Sequence, residues 1–121
     1  MTIRIQSLDD DVWIIAPRGR VDFPAARAME DAINELCDAG RARIVVDLSD
    51  VAYVASAGLN ALLTGARRAR MLNGDVRLAV MHDRVREVFE ISGFDQIFAI
   101  YPSTAEAIQS YKSGHAPATK M

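Results

Sequence analysis

Apolar positions along the chain switch repeatedly between a spacing of two and a spacing of three to four. In residues 2–6, Ile3 and Ile5 alternate with polar neighbours, and after the acidic run Asp9, Asp10, Asp11 a second apolar stretch fills residues 12–16. This pattern predicts two short strands joined by a tight turn. Residues 18–21 continue extended as far as Asp22, Phe23 and Pro24. A carboxylate followed by proline marks a helix start, because proline has no amide hydrogen to leave unsatisfied in the first turn. Ala25, Ala28, Met29, Ala32, Ile33 and Leu36 then recur at helical steps, and Gly40 is placed for a left-handed cap.

Residues 44–48 form a continuous β-branched run, the pattern of a strand buried on both faces. From Ser56 the period lengthens again: Leu59, Leu62, Leu63, Ala66, Ala69, Met71 and Leu72 trace a helical face that stops at Asn73 and Gly74. A strand over 76–81, a helix over 83–91 closed by Gly93, and a strand over 97–101 broken by Pro102 follow. Ser103 and Glu106 have the spacing of a capping box that opens a last helix, ending near Tyr111. Strands that alternate with helices become parallel neighbours, since each crossover returns the chain to the same end of the sheet. The expected fold is α/β: a mixed, mostly parallel sheet of four to five strands, four helices and an N-terminal strand pair. One domain spans residues 1–112, and 113–121, without apolar periodicity, is expected to be a flexible tail.

A chain of 121 residues suits one core of ordinary size. Fourteen basic against 16 acidic side chains give a charge of −2, which is no footprint for direct nucleic-acid binding. The single cysteine, Cys37, closes no disulfide within the chain, and no secretory signal or membrane-inserting segment is visible, so a cytoplasmic location is expected. No phosphate-binding glycine loop, nucleophile elbow or metal-ligand spacing is found, so the expected protein is not an enzyme and needs no cofactor or metal. His82 before a helix start, His115 in the tail and Cys37 near a helix end read as ordinary surface or core residues. Arg67, Arg68 and Arg70 fit a solvated face at the negative end of a helix dipole, and Asp9–Asp11 a solvated turn.

The informative place is the junction formed by Ala55, Ser56, Ala57, Gly58 and Leu59, where extended chain gives way to helix. Two readings of Ser56 stand side by side. As the N-cap, its oxygen accepts from an amide of the first turn and contributes about 1 kcal/mol. As a phosphate acceptor, it places nearly two negative charges at the positive end of the helix and alters the surface without unfolding the domain.

At this junction the sequence resembles the STAS family, the sulfate-transporter and anti-sigma factor antagonist domains. Gly19-Arg20-Val21-Asp22 is similar to the family's Gly-Glu-x-Asp stretch, and residues 44–51 to its central strand and following turn. Ala55-Ser56-Ala57-Gly58-Leu59 aligns with Asp-Ser-Ser/Thr-Gly-Leu, and residues 89–98 with a later Leu-x-Gly-Leu/Phe-x-x-x-Phe segment. The resemblance covers residues 2–111. It implies a stand-alone anti-sigma factor antagonist that binds a serine-kinase anti-sigma factor when unphosphorylated and leaves it when phosphorylated on Ser56, a serine phosphatase restoring the first state. Asp22 matches an acidic position near the acceptor. Ala55, Ser56, Ala57, Gly58, Leu59 and Asn60 complete the partner-binding segment. Two departures stand out: Ala55 replaces the aspartate before the acceptor, removing a recognition charge, and Ala57 replaces the second hydroxyl, leaving Ser56 as the sole acceptor of the motif. The loss at Ala55 also suits an alternative, an unphosphorylated STAS adaptor subunit in a larger assembly such as a lipid-transport complex.

Overall fold

The computed structural model describes residues 3–8 and 12–112. The acidic turn at Asp9–Asp11, His115 and the expected tail over 113–121 lie outside the described residues. In chain order the elements are β1 (Ile3–Leu8), β2 (Val12–Pro17), β3 (Gly19–Val21), α1 (Phe23–Asp38), β4 (Arg43–Asp47), β5 (Val51–Val54), α2 (Ser56–Met71), β6 (Asp75–Ala79), α3 (Asp83–Ser92), a 3-10 turn (Phe94–Gln96), β7 (Ile100–Tyr101) and α4 (Thr104–Lys112).

Five strands form one sheet in the order β1-β2-β4-β6-β7, with β1 antiparallel to β2 and every other pair parallel. The uninterrupted run in β4 is explained by its position. Ile44 and Val46 pack with α1, α2 and α3 on one face, while Val45 packs with Ala107 and Tyr111 of α4 on the other. The expected α/β class, four helices and N-terminal strand pair are all present.

Three differences from the sequence-based expectation have physical causes. First, β3 and β5 are true strands that pair in parallel with each other, forming a second, two-stranded sheet instead of extended links. Second, β6 stops at Ala79 because Val80 takes φ +60°, a left-handed conformation rare for a β-branched residue, while its amide still donates to the Tyr101 carbonyl at 3.0 Å. Third, the apolar run before β7 is buried by aromatic packing rather than strand pairing. Phe98 and Phe94 lie 6.2 and 6.5 Å from Phe89, ring centre to ring centre, both edge to face.

The helix ends follow the expected chemistry with one exchange. Gly40 is left-handed after α1, but after α2 it is Asn73 that takes φ +65°. Gly74 serves a different need, since a Cβ there would stand 2.0 Å from the Ala42 carbonyl oxygen. At α4 the capping box forms: the Glu106 amide donates to Ser103 Oγ at 3.1 Å, and that hydroxyl donates to the Glu106 carboxylate at 3.1 Å.

The arginines near the end of α2 are not simply a solvated face. Arg68 pairs with Asp38 and Asn34 of α1. Arg70 Nε donates to Asp75 at 2.8 Å and its terminal nitrogen to the Ile97 carbonyl at 2.9 Å. Asp75 also accepts from buried Arg77 at 3.1 Å, and Arg77 donates to Ser110 of α4 at 2.7 Å. The Arg77 guanidinium lies 4.0 Å from the Tyr111 ring centre, and the Tyr111 hydroxyl bridges the Ile44 and Asp75 carbonyls at 2.8 and 2.7 Å. This network fastens the C-terminal end of α2 and, through Ser110 and Tyr111, the last turn of α4 to β4 and β6. Only Arg67 of the three remains fully exposed.

Candidate functional site

The second sheet builds the site. Val21 is in register with Val54, the amide of Ala55 donates to the Val21 carbonyl at 3.0 Å, and the amide of Gly19 donates to the Asp50 carbonyl at 2.8 Å. Parallel pairing of β3 with β5 makes α1 and α2 begin side by side, with Asp22 and Ala55 as their respective N-caps. Asp22 behaves as its residue type predicts, accepting from the Ala25 amide at 3.2 Å, with Pro24 in the first turn.

Ser56 is not the N-cap. Ala55 holds that position, with extended backbone at φ −82° and ψ 169°, and its carbonyl accepts from the amides of Gly58 and Leu59 at 2.8 and 3.1 Å. Ser56 is the first residue of α2, exposed, and its hydroxyl has no hydrogen-bond partner among the described residues. The capping reading of Ser56 is therefore corrected. The helix began one residue earlier than a serine cap requires because the β3–β5 pairing fixes Ala55 against Val21.

Around the hydroxyl, Asp22 and Asn60 are exposed and Ala55 and Ala57 half-buried, whereas Gly58 and Leu59 are buried beneath the first turn. Gly58 permits the close approach. A Cβ there would stand 2.8 Å from a methyl of Val21, 2.8 Å from a methyl of Val54 and 3.2 Å from the Val21 carbonyl oxygen. The glycine of the motif thus belongs to the seating of α2 on the two strands.

Two exposed aromatic side chains that the chain pattern did not single out lie on the neighbouring elements. Phe23 is 63 % exposed at the start of α1, and Tyr53 is 45 % exposed under the Arg20 guanidinium, 5.2 Å from ring centre. Their signal in the sequence is that both fall off the buried periodicity of their elements. A groove of about 230 Å³ runs between the helices, with Phe23 and Arg27 of α1 and Asn60 and Thr64 of α2 on its walls and Ala26, Ala57 and Ala61 among its lining. Elsewhere, His82 caps α3 without a side-chain bond to it and places Nε2 2.5 Å from the Ser49 carbonyl oxygen, which makes it a donor that ties the β4–β5 turn to α3. Cys37 is buried, and that burial raises its thiol pKa above the usual value. Among the described residues no cluster of His, Cys, Asp or Glu could hold a metal ion, and no helix is long and apolar enough to cross a membrane.

Comparison with known proteins agrees with the fold. The model of the STAS domain matches residues 4–107. BtrV of Bordetella bronchiseptica, provisionally named an anti-sigma factor antagonist, is 36 % identical over 104 residues, covering 86 % of this chain and 90 % of its own. An anti-sigma factor antagonist from Mycobacterium paratuberculosis superposes with a TM-score of 0.82 at 24 % identity, covering 92 % of this chain and 93 % of its own. The phosphorylated form of the Bacillus cell fate determinant SpoIIAA superposes with a TM-score of 0.72 at 19 % identity, covering 91 % and 99 %. With the family model spanning most of the length and a third of the residues shared with BtrV, the chain belongs to the STAS domain family.

Proposed function

We propose that the protein is an anti-sigma factor antagonist that works by partner switching. Unphosphorylated, it binds a serine-kinase anti-sigma factor through the face formed by Phe23, Tyr53, Ser56 and Asn60. The kinase transfers the γ-phosphoryl group of ATP to Ser56: an Oγ–P bond forms, the bond to the bridging oxygen of ADP breaks, and the hydroxyl proton is released. The modified protein then leaves, and a serine phosphatase restores it.

The observation that carries this reading is the hydroxyl of Ser56, exposed and without a partner at the start of α2 in the motif position of the family. A serine that neither caps its helix nor bonds its neighbours is free to enter another protein's active site. The relatives' names point to anti-sigma factor antagonism, and the flanking exposed aromatics are the residue types that anchor protein interfaces. A dianion at the centre of that face opposes binding, because an unpaired charge desolvated in an interface costs several kcal/mol.

The test is phosphate transfer. Incubated with Mg²⁺, ATP and a serine-kinase anti-sigma factor encoded in the same genome, the protein should gain one phosphate by intact-mass spectrometry, and Ser56→Ala should gain none. An active kinase that leaves the protein unmodified would favour the fixed adaptor subunit that Ala55 also suits.

A further inference from the structure

Strand β3 carries a bulge at which its register with β5 jumps from Gly19 opposite Val51 to Arg20 opposite Tyr53. Gly19 absorbs the bulge in a left-handed conformation at φ +85°, which glycine adopts without a side-chain clash. Arg20 and Tyr53 are therefore direct neighbours on parallel strands. Both are exposed, and the guanidinium lies over the ring, 5.2 Å from its centre. One position further on, Val21 and Val54 are each followed by the cap of a helix, so this pair borders the face that carries Phe23 and Ser56. Beside it lies a groove of about 380 Å³ lined by Arg18, Arg20, Asp22, Pro24, Ala25 and Ala28. Two of its three charged side chains are already engaged: Arg18 pairs with Asp50 at 3.7 Å, and the Asp22 carboxylate accepts from the Ala25 amide at 3.2 Å. Arg20 has no ion-pair partner among the described residues.

We infer that Arg20 selects the partner by charge: the kinase that this protein binds presents an aspartate or glutamate side chain to the groove, and Arg20 takes it as a forked ion pair. The inference rests on the reading of the protein as the ligand of a serine-kinase anti-sigma factor, and it adds what that partner carries at the contact. The guanidinium offers parallel N–H donors that match both oxygens of a carboxylate. The Tyr53 ring beneath it supports the plane of the fork, so less side-chain freedom is lost on binding. No carboxylate of the chain competes for it among the described residues, because Asp22 and Asp50 are engaged elsewhere. Its sign is also opposite to that of the glutamate in the similar family stretch, Gly19-Arg20-Val21-Asp22 standing against Gly-Glu-x-Asp. A kinase with a basic side chain at this contact is therefore repelled, and the same residue that attracts one partner rejects another.

The experiment titrates the serine-kinase anti-sigma factor encoded in the same genome, with ADP and no ATP, into the parent, Arg20→Gln, Arg20→Lys and Arg20→Glu. Arg67→Gln, which removes the same charge from the exposed C-terminal part of α2, serves as the control. In about 0.1 M salt, Arg20→Gln should weaken binding about tenfold and Arg20→Glu about 100-fold, although the latter restores the family's residue. Arg20→Lys should fall between the parent and Arg20→Gln, since it keeps the charge and loses the fork. In about 1 M salt, where the screening length drops from about 10 to about 3 Å, the deficit of Arg20→Gln should shrink to about threefold or less. Arg67→Gln should match the parent within about twofold, and thermal unfolding of every variant should stay within about 3 °C of the parent, as for other exposed substitutions. Arg20→Gln or Arg20→Glu binding as tightly as the parent would overturn the inference, as would a loss that salt leaves unchanged or an equal loss in Arg67→Gln. A kinase that does not bind the parent at all would overturn both this inference and the proposed function. Binding that depends on Arg20, with no phosphate transferred to Ser56 once ATP is added, would support the inference and count against switching alone.

Discussion

Ser56 is separated from the stability of the domain by a single residue of register. Because Ala55 is the cap, Ser56→Ala removes no hydrogen bond, and thermal unfolding should place it within about 0.5 kcal/mol of the parent, the range of ordinary surface substitutions. A loss of 1 kcal/mol or more would return Ser56 to a structural role. Two residues on, Gly58 has the opposite character. Gly58→Ala drives a methyl against Val21 and Val54 and should destabilise by about 1–3 kcal/mol in denaturant unfolding, the usual cost of overpacking. Phe23 belongs to the surface: Phe23→Ala should leave Tm nearly unchanged while weakening the complex with the kinase partner at least tenfold by calorimetry. A mutant that binds as well as the parent would remove Phe23 from the interface.

At the scale of elements, α2 is fixed by polar contacts at its C-terminal end and by close packing on β3 and β5 at its start. Arg70, Asp75, Arg77, Ser110 and Tyr111 lock its C-terminal end to β6 and α4, so Asp75→Ala, which leaves Arg77 buried without its carboxylate, should cost about 3–5 kcal/mol. The Tyr111 phenol adds a pH dependence. Burial first, and then the charge of Asp75, raise its pKa above the usual value, so the folded protein holds it neutral where the unfolded chain, with a phenol near pKa 10, ionises. Stability supported by Tyr111 is therefore complete below about pH 10 and declines as pH rises beyond it. Denaturant melts of Tyr111→Phe should show a lower stability at pH 7 and a shallower decline at high pH; an equal decline would place the alkaline sensitivity elsewhere.

Much of this element layout was readable from the chain, and the exceptions have common causes. The parallel core strands and the α1 and α4 caps follow from local patterns that tertiary contacts reinforce, such as the β-branched run of β4 and the Ser103–Glu106 pair. The β3–β5 sheet was hidden because strands of three and four residues carry too little periodicity, and their pairing joins positions as distant in sequence as Val21 and Val54. The same non-local pairing decides that Ala55 and not Ser56 caps α2, so local helix-start chemistry pointed to the neighbouring residue. The arginine pairings escaped because the partners sit in other elements, Arg77 with Ser110 and Arg68 with Asn34.

For the whole molecule, phosphorylation of Ser56 as proposed would be a large electrostatic change on a small balance. A net charge of −2 becomes nearly −4, with the addition confined to the face around Ser56 and the start of α2. Under the proposed function the two ends of α2 divide the work: the anchored end preserves the fold, and the end with the exposed Ser56 would carry the signal. Ser56→Asp, which adds one charge at a favourable helix start, should keep the parent's Tm and weaken partner binding; unfolding of this variant would contradict the division. The most direct measurement is the affinity of one kinase partner for the same preparation before and after stoichiometric phosphorylation of Ser56, read by titration calorimetry in the presence of ADP. Affinity should fall at least about 100-fold on phosphorylation, equivalent to roughly 3 kcal/mol. Equal affinity of the two forms, or tighter binding of the phosphorylated one, would contradict it.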